Sequence, residues 1–255
     1  MSCIDKQNIL RHASSDEERL VLAKAFAAFT LSEKIGQPRF SGFLSPKDRD
    51  LINIAFSKSG ALSFFGGYED AERQIAGFFS ETPSDFPISV ILCAGCFSGL
   101  THRDFLGSLM GLGITRENVG DIVIVKDSAY IFVLSALCEY IKDNLVKVGK
   151  VKVSCTLSDV FGISVKREFY ELKRSVASLR ADAVIGAVFG LSRSDAAATV
   201  SSGFASINYK IIEDPDKKIN DGDIISVKGR GKAKICLSGG TSKKGRLIID
   251  IKKYK

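Results

Sequence analysis

Between Ile88 and Thr156 the chain changes element type in an order that few folds accommodate. Strands are predicted at 88–94, 121–126, 129–134 and 150–156, and helices at 102–111 and 135–145, which gives βαββαβ. A chain of that order folds as a split βαβ, or ferredoxin-like, domain: a four-stranded sheet with two helices on one face. The topology leaves function open, because many unrelated activities share it. Pro83, Ser84 and Asp85 mark a boundary before it. The expected class is therefore α+β, with an N-terminal α/β unit at 1–80, the central domain at 83–156, a connector at 157–178 and a third unit at 179–255.

In the first unit, Leu22, Phe26 and Phe29 at i, i+4 and i+7 predict a helix over 8–31, and a second helix follows Pro46 over 46–58. A strand at 61–65 is expected to turn through Gly66-Gly67 into a short helix whose N-terminus carries Glu69, Asp70 and Glu72. In the third unit a helix at 182–189 closes at Gly190. Ser192, three residues before Asp195, opens a second helix that Gly203 stops. Short strands are expected at 205–208, 224–228, 233–237 and 246–251.

Charge is distributed unevenly. Residues 1–178 hold 21 basic and 21 acidic residues and residues 179–255 hold 15 and 8, so the whole net charge of +7 falls in the last third. From Ser226 onward ten basic residues face a single acidic one, Asp250. A local excess of this kind attracts polyanions, and its use with nucleic acid is phosphate neutralisation with counterion release; a merely solvated tail is the bland alternative. No apolar stretch reaches the ~20 residues that span a bilayer. Six cysteines without a signal-like start point to a reducing, cytoplasmic setting.

Leu179-Arg180-Ala181-Asp182, Leu191-Ser192-Arg193-Ser194, Gly203-Phe204-Ala205-Ser206-Ile207-Asn208, Asp214-Pro215 and Asp221-Gly222-Asp223-Ile224-Ile225-Ser226-Val227 resemble, in this order, the S4 domain of ribosomal and RNA-modifying proteins. Ala181 departs from the family's usual Leu, and Ser201-Ser202 replace a position that is commonly basic. Physics gives the same reading. A helix start at Ser192–Ser194 offers free N–H groups, two hydroxyls and a guanidinium to a phosphate, and Arg180 joins that surface. Lys210, Lys228, Arg230, Lys232, Lys234, Lys243, Lys244 and Arg246 complete the expected RNA-binding set. On one strand the alternate residues 228 to 234 share a face, unless the interleaved glycines break the register.

Upstream, Ser63-Phe64-Phe65-Gly66-Gly67-Tyr68-Glu69-Asp70-Ala71-Glu72-Arg73, the run Leu100–Gly113, Gly120-Asp121-Ile122 and Asn144–Gly149 resemble the YlmH family of bacterial S4-domain proteins, so the likeness covers essentially the whole chain. That resemblance implies an RNA-binding protein of the large ribosomal subunit, acting in rescue of stalled translation, with links to cell division and contacts to ribosomal RNA and tRNA.

Other constellations carry less. Thr101 and Asp104 form a capping box that leaves His102 and Arg103 at a helix start, open to capping alone or to an anion. Tyr68 is a candidate for stacking on a base, against a purely structural Gly66-Gly67 turn, and Tyr130 with Phe132 offers a second stacking pair. His102-Arg103-Asp104 lacks the Asn of a kinase loop, because Leu109 stands there, and Arg246-Leu247 break a phosphate-loop pattern. Cys93-Ala94-Gly95-Cys96 is a lone CxxC, read as buried thiols rather than as a redox or metal site. The expectation is a protein without catalysis, metal, cofactor, membrane contact or small-molecule substrate. An RNA-modifying enzyme and an interaction scaffold for cell division are the alternatives.

Overall fold

The computed structural model describes residues 5–57, 59–60, 62–79, 85–158, 169–242 and 245–254. It divides into two compact units, Met1–Val165 and Lys166–Lys255.

The first unit opens with two helices where one was expected, α1 at Lys6–Leu10 and α2 at Asp16–Ile35. Ser15 interrupts them because its side chain accepts from the Glu18 N–H, while the Glu18 carboxylate accepts from the Ser14 N–H at 2.7 Å. That reciprocal cap, with three acidic residues in the first turn, makes Asp16 a better helix start than a continuation. Gly36, at φ 65°, ends α2 in the left-handed conformation. An unexpected strand, β1 (Arg39–Leu44), precedes α3 (Pro46–Ala55). It pairs with β3 (Gln74–Phe78), which also pairs with β2 (Leu62–Phe65), so the sheet order is β1-β3-β2, all antiparallel. Leu22, Ile52, Phe56 and Phe78 form the core between helices and sheet.

No helix follows Gly66-Gly67. The chain folds back into β3 so tightly that a Cβ on Gly66 would lie 2.4 Å from both the Ala71 Cβ and the Arg73 carbonyl oxygen. The N–H groups of Glu72 and Arg73 are taken by the Asp121 carboxylate, at 2.7 and 3.1 Å, which removes the free amides that acidic residues at a helix start would have served.

The βαββαβ order holds. Strands β4 (Ile88–Ala94), β5 (Val119–Val125) and β6 (Ser128–Leu134) and helices α4 (His102–Gly111) and α5 (Cys138–Asn144) fall on or within two to three residues of their predicted places. The expected strand at 150–156 divides. β7 (Lys147–Val148) and β8 (Val151–Lys152) make a small hairpin, and β9 (Ser154–Ser158) joins the main sheet in the order β5-β6-β4-β9. Phe105 and Leu109 of α4 and Ile141 of α5 pack on Ile91, Ile131 and Val133, so both helices cover one face. The other face is covered as well: Val90 and Phe132 are buried against Phe43, Tyr68 and Ile75 of the N-terminal part.

In the second unit, Phe169–Val176, expected within the connector, is strand β10. It flanks β15 (Leu247–Tyr254) in a six-stranded antiparallel sheet of order β10-β15-β14-β13-β11-β12, with β11 at Ala205–Ile207, β12 at Lys210–Ile212, β13 at Ile224–Val227 and β14 at Gly231–Thr241. Helices α6 (Ala181–Phe189) and α7 (Arg193–Ser201) lie on one face, where Val184, Ile185, Ala196 and Val200 meet Ile225, Ala233, Ile235 and Ile249. Asn208 and Tyr209, at φ 48° and 64°, form the two-residue turn between β11 and β12. Among the described residues no single helix is long and apolar enough to cross a membrane.

Candidate nucleic-acid interface

Two of the sequence motifs, those around Arg180 and Arg193, meet at one buried carboxylate. Asp182, in the first turn of α6, has a side chain only 4% exposed. Arg180, at the N-cap, donates to it twice, from Nε to Oδ1 at 3.2 Å and from Nη2 to Oδ2 at 3.1 Å. Arg193, the first residue of α7, donates from Nε to Oδ2 at 3.1 Å, and the Ala183 N–H adds a bond of 2.7 Å to Oδ1. Burial opposes ionisation of this carboxyl, but the bonds from Arg180, Arg193 and Ala183 outweigh it and hold Asp182 below the usual carboxylate range. Arg180 also pairs with Asp216. Asp182 thus fixes two guanidiniums that come from different helices. The Arg193 side chain remains 66% exposed and that of Arg180 38%, so the unused N–H groups of both face outward.

Ser192 caps α7. Its Oγ accepts from the Asp195 N–H at 3.1 Å and donates to Asp195 Oδ2 at 2.6 Å, with Ser194 Oγ at 2.9 Å. These hydroxyls are therefore engaged within the cap as well as exposed beside Arg193. Sequence reasoning placed Arg180, Ser192, Arg193 and Ser194 together, and the structure does the same. It did not anticipate Asp182 as their organiser, nor Lys217 and Lys218, whose backbone meets α6: the Lys217 carbonyl accepts from the Ala181 N–H, and Lys218 bridges Arg180. The signal that could have found Asp182 was a carboxylate two residues from one arginine in a motif that ends on another.

The remaining basic residues do not all join that cluster. Lys228 and Arg230 occupy the turn between β13 and β14, where Gly229 and Gly231 take φ of 78° and 93°, so the single alternating face from 228 to 234 does not form. Lys232 and Lys234 do alternate on β14, but on the side opposite Ala233 and Ile235, which pack under the helices. Their face is therefore the open face of the sheet, opposite the one that carries Arg180 and Arg193. The Lys232 ammonium stands 4.7 Å from the Tyr254 ring centroid, and that of Lys228 stands 5.4 Å from Phe204. Lys210 is exposed at the start of β12, Arg246 is exposed just before β15, and Lys243 and Lys244 lie outside the described residues.

In the central domain the capping box is present: Asp104 Oδ2 accepts from the Thr101 N–H at 2.7 Å and from its hydroxyl at 2.8 Å, and His102 and Arg103 are exposed in the first turn of α4. Tyr68 is not placed to stack on a base. Its ring is buried 5.0 Å from Phe132 and its hydroxyl donates to Asp121 at 2.6 Å. Phe132 is buried against the same ring, which removes it as a stacking platform. Arg73 completes this junction, donating to the carbonyls of Val119, Phe43 and Arg116; burial, with the Arg116 charge, lowers its pKa to about 10. Cys93 is buried and faces Cys155 across neighbouring strands with 2.8 Å between sulfurs, while Cys96 is exposed. Among the described residues no group of three His, Cys, Asp or Glu side chains is arranged to hold a metal.

Comparison with known proteins shows what the chain is similar to. Residues 82–161 match the model of a putative RNA-binding domain in YlmH. The chain is 28% identical over 256 residues to the ribosome-associated protein quality control protein P2 of Bacillus subtilis, covering 97% of this chain and 99% of that one. The solved structure of the cell division protein ylmH from Streptococcus pneumoniae is similar with a TM-score of 0.51 and 25% identity, over 57% of this chain and 93% of its own. The matched domain and the solved structure carry one name and the curated relative spans the chain from end to end, so the chain is similar to YlmH proteins over its length.

Proposed function

We propose that this chain is a non-enzymatic, cytoplasmic RNA-binding protein that associates with structured ribosomal RNA on the large ribosomal subunit, with tRNA as a further contact, and acts in the rescue of stalled translation. In this reading the second unit is an S4 domain and the central domain an RRM-like one. The observation that carries it is the Asp182 cluster: two guanidiniums held by one buried carboxylate at adjoining helix starts, in the part of the chain that holds all the net positive charge. Preorganised arginines suit phosphate oxygens, and fixing them beforehand reduces the side-chain entropy lost on binding. The name of the Bacillus relative supports the ribosomal setting.

The test is co-sedimentation of the purified chain with isolated large subunits, before and after ribonuclease treatment. Ribonuclease-sensitive sedimentation that weakens with salt is expected. The cell-division name of the Streptococcus structure favours one second reading, an interaction scaffold. Complexes that survive ribonuclease would favour the scaffold.

A further inference from the structure

The sheet of the central domain raises a difficulty for RNA binding. RNA-recognition modules of this topology present aromatic side chains on the open sheet face to unstacked bases, yet here that face is closed by Phe43, Tyr68 and Ile75. Nor does overall charge help, since residues 82–161 hold 7 basic and 8 acidic residues. Three of the basic ones, however, are concentrated: Lys147, Lys150 and Lys152 fall within six consecutive positions on the β7–β8 hairpin, and all three are exposed.

The pairing of that hairpin is unfavourable as it stands. Lys147 lies directly opposite Lys152, and Val148 opposite Val151. Directly opposed side chains share a face at a Cβ separation of about 5 Å, where like charges destabilise the pair. No carboxylate among the described residues lies within 4 Å of Lys147, Lys150 or Lys152, and Glu139 and Asp143 of α5 are both engaged by Lys142. The rest of the hairpin is well fixed. Val148 is fully buried, Gly149 takes φ 56° at the turn, its N–H reaches Ser108 Oγ of α4 at 3.4 Å, and the Val153 N–H donates to the Val146 carbonyl at 3.1 Å. The turn also lies against Leu100, immediately before the Thr101 cap of α4.

The hairpin backbone sets two lysines opposite each other on one face, with no carboxylate among the described residues within 4 Å, and an anion placed between them completes the pair. We propose that the Lys147–Lys152 hairpin is the phosphate-binding element of the central domain and takes the backbone of an RNA strand in place of the covered sheet face. This rests on the RNA-binding reading of the chain. Such binding is sequence-independent, because phosphates carry no base information.

The experiment is filter binding of the full chain to large-subunit ribosomal RNA across a salt series, with a thermal melt of every variant. Replacing Lys147, Lys150 and Lys152 together by Ala should lower the log–log salt slope by about 2 to 3, at ~0.7–0.9 for each phosphate that is no longer neutralised. Lys147→Glu should weaken RNA binding at least tenfold while raising the melting temperature or leaving it unchanged, because it converts a repulsive cross-strand pair into an attractive one. Weaker binding with no drop in stability separates a ligand contact from a structural role. An unchanged slope in the triple variant, with binding still reduced by Arg180→Ala, would overturn the hairpin proposal and leave the wider reading intact. Absence of RNA binding by the unaltered chain would overturn both.

Discussion

Arg193 tests whether the Asp182 cluster binds RNA or only supports the fold. Its place in the first turn of α7 would, taken alone, make a carboxylate there harmless or even favourable. The bond from Arg193 Nε to Asp182 changes that expectation, because Arg193→Glu brings a second carboxylate towards a buried one. For Arg193→Ala the cost is small: Asp182 keeps both bonds from Arg180 and the Ala183 N–H, and the partner removed is 66% exposed. A pair so open to solvent contributes about 0.5–1 kcal/mol. In a unit of this size that lowers the melting temperature by a few degrees. Arg193→Glu adds a like-charge repulsion of about 1–3 kcal/mol if the new carboxylate stays near 6 Å in surroundings of intermediate dielectric. Binding should respond differently. If Arg193 holds a phosphate through two hydrogen bonds, Arg193→Ala should weaken affinity at least tenfold, about 1.4 kcal/mol. The assay is co-sedimentation with large ribosomal subunits beside a thermal melt of both variants. Arg193→Ala that melts a few degrees early but sediments like the unaltered chain would refute the reasoning and leave the cluster a structural device.

Further outcomes follow from other parts of the molecule. Asp121→Ala removes the carboxylate that accepts from the Tyr68 hydroxyl and the Glu72 and Arg73 N–H groups and should cost about 2–4 kcal/mol in a denaturant titration, with little effect on the second unit. Gly67→Ala should destabilise to a similar extent, because the backbone there has φ 99° and a Cβ would meet the Phe132 ring at 2.4 Å; an unaffected melt would contradict the close approach. The depressed carboxyl of Asp182 contributes stability above the unfolded value of ~3.9, which is lost as pH falls below it, so acid unfolding of Asp182→Asn should show a weaker pH dependence than that of the unaltered chain. A fragment beginning at 179 lacks β10 and exposes the edge of β15, so it should be less stable than one beginning at 166, as equal melting temperatures would disprove.

How far the sequence could be read depended on where its signals came from. α4 was legible to the residue, because Thr101 and Asp104 are a local signal for its start and Gly111 with Gly113 for its end. α6 and α7 were legible for the same reason: Gly190 and Ser192 are local punctuation. β10 was not, since Phe169–Val176 has no flanking turn signal and its pairing partners lie more than seventy residues later. The helix expected after Gly67 was a local signal overridden by a distant one, the Asp121 carboxylate, which no inspection of residues 66–73 could reveal. In the candidate site the cationic members were visible as residue types, and the motif order placed four of them together. Their sorting onto two faces was not visible, because it depends on where β13 ends and on which parity of β14 meets the helices.

That sorting bears on how such a chain meets a large polyanion. Arg180 and Arg193 stand on the helix side of the second unit, and Lys232 and Lys234 on the open side of its sheet. One flat surface of RNA cannot engage both sets, whereas RNA that wraps an edge, or two separate RNA segments, can. The two sets should therefore contribute independently. Distant charges that share no partner add in free energy to within a few tenths of a kcal/mol. If Arg193→Ala and a paired Lys232→Ala, Lys234→Ala variant each weaken binding to large subunits, their combination should multiply the two effects. If only one of the two variants weakens binding and the combination is no weaker than that one, only one face touches RNA and the other serves solubility. Competition would then check which: a short duplex RNA that displaces the chain from subunits should lose that effect only with variants of the face that touches it.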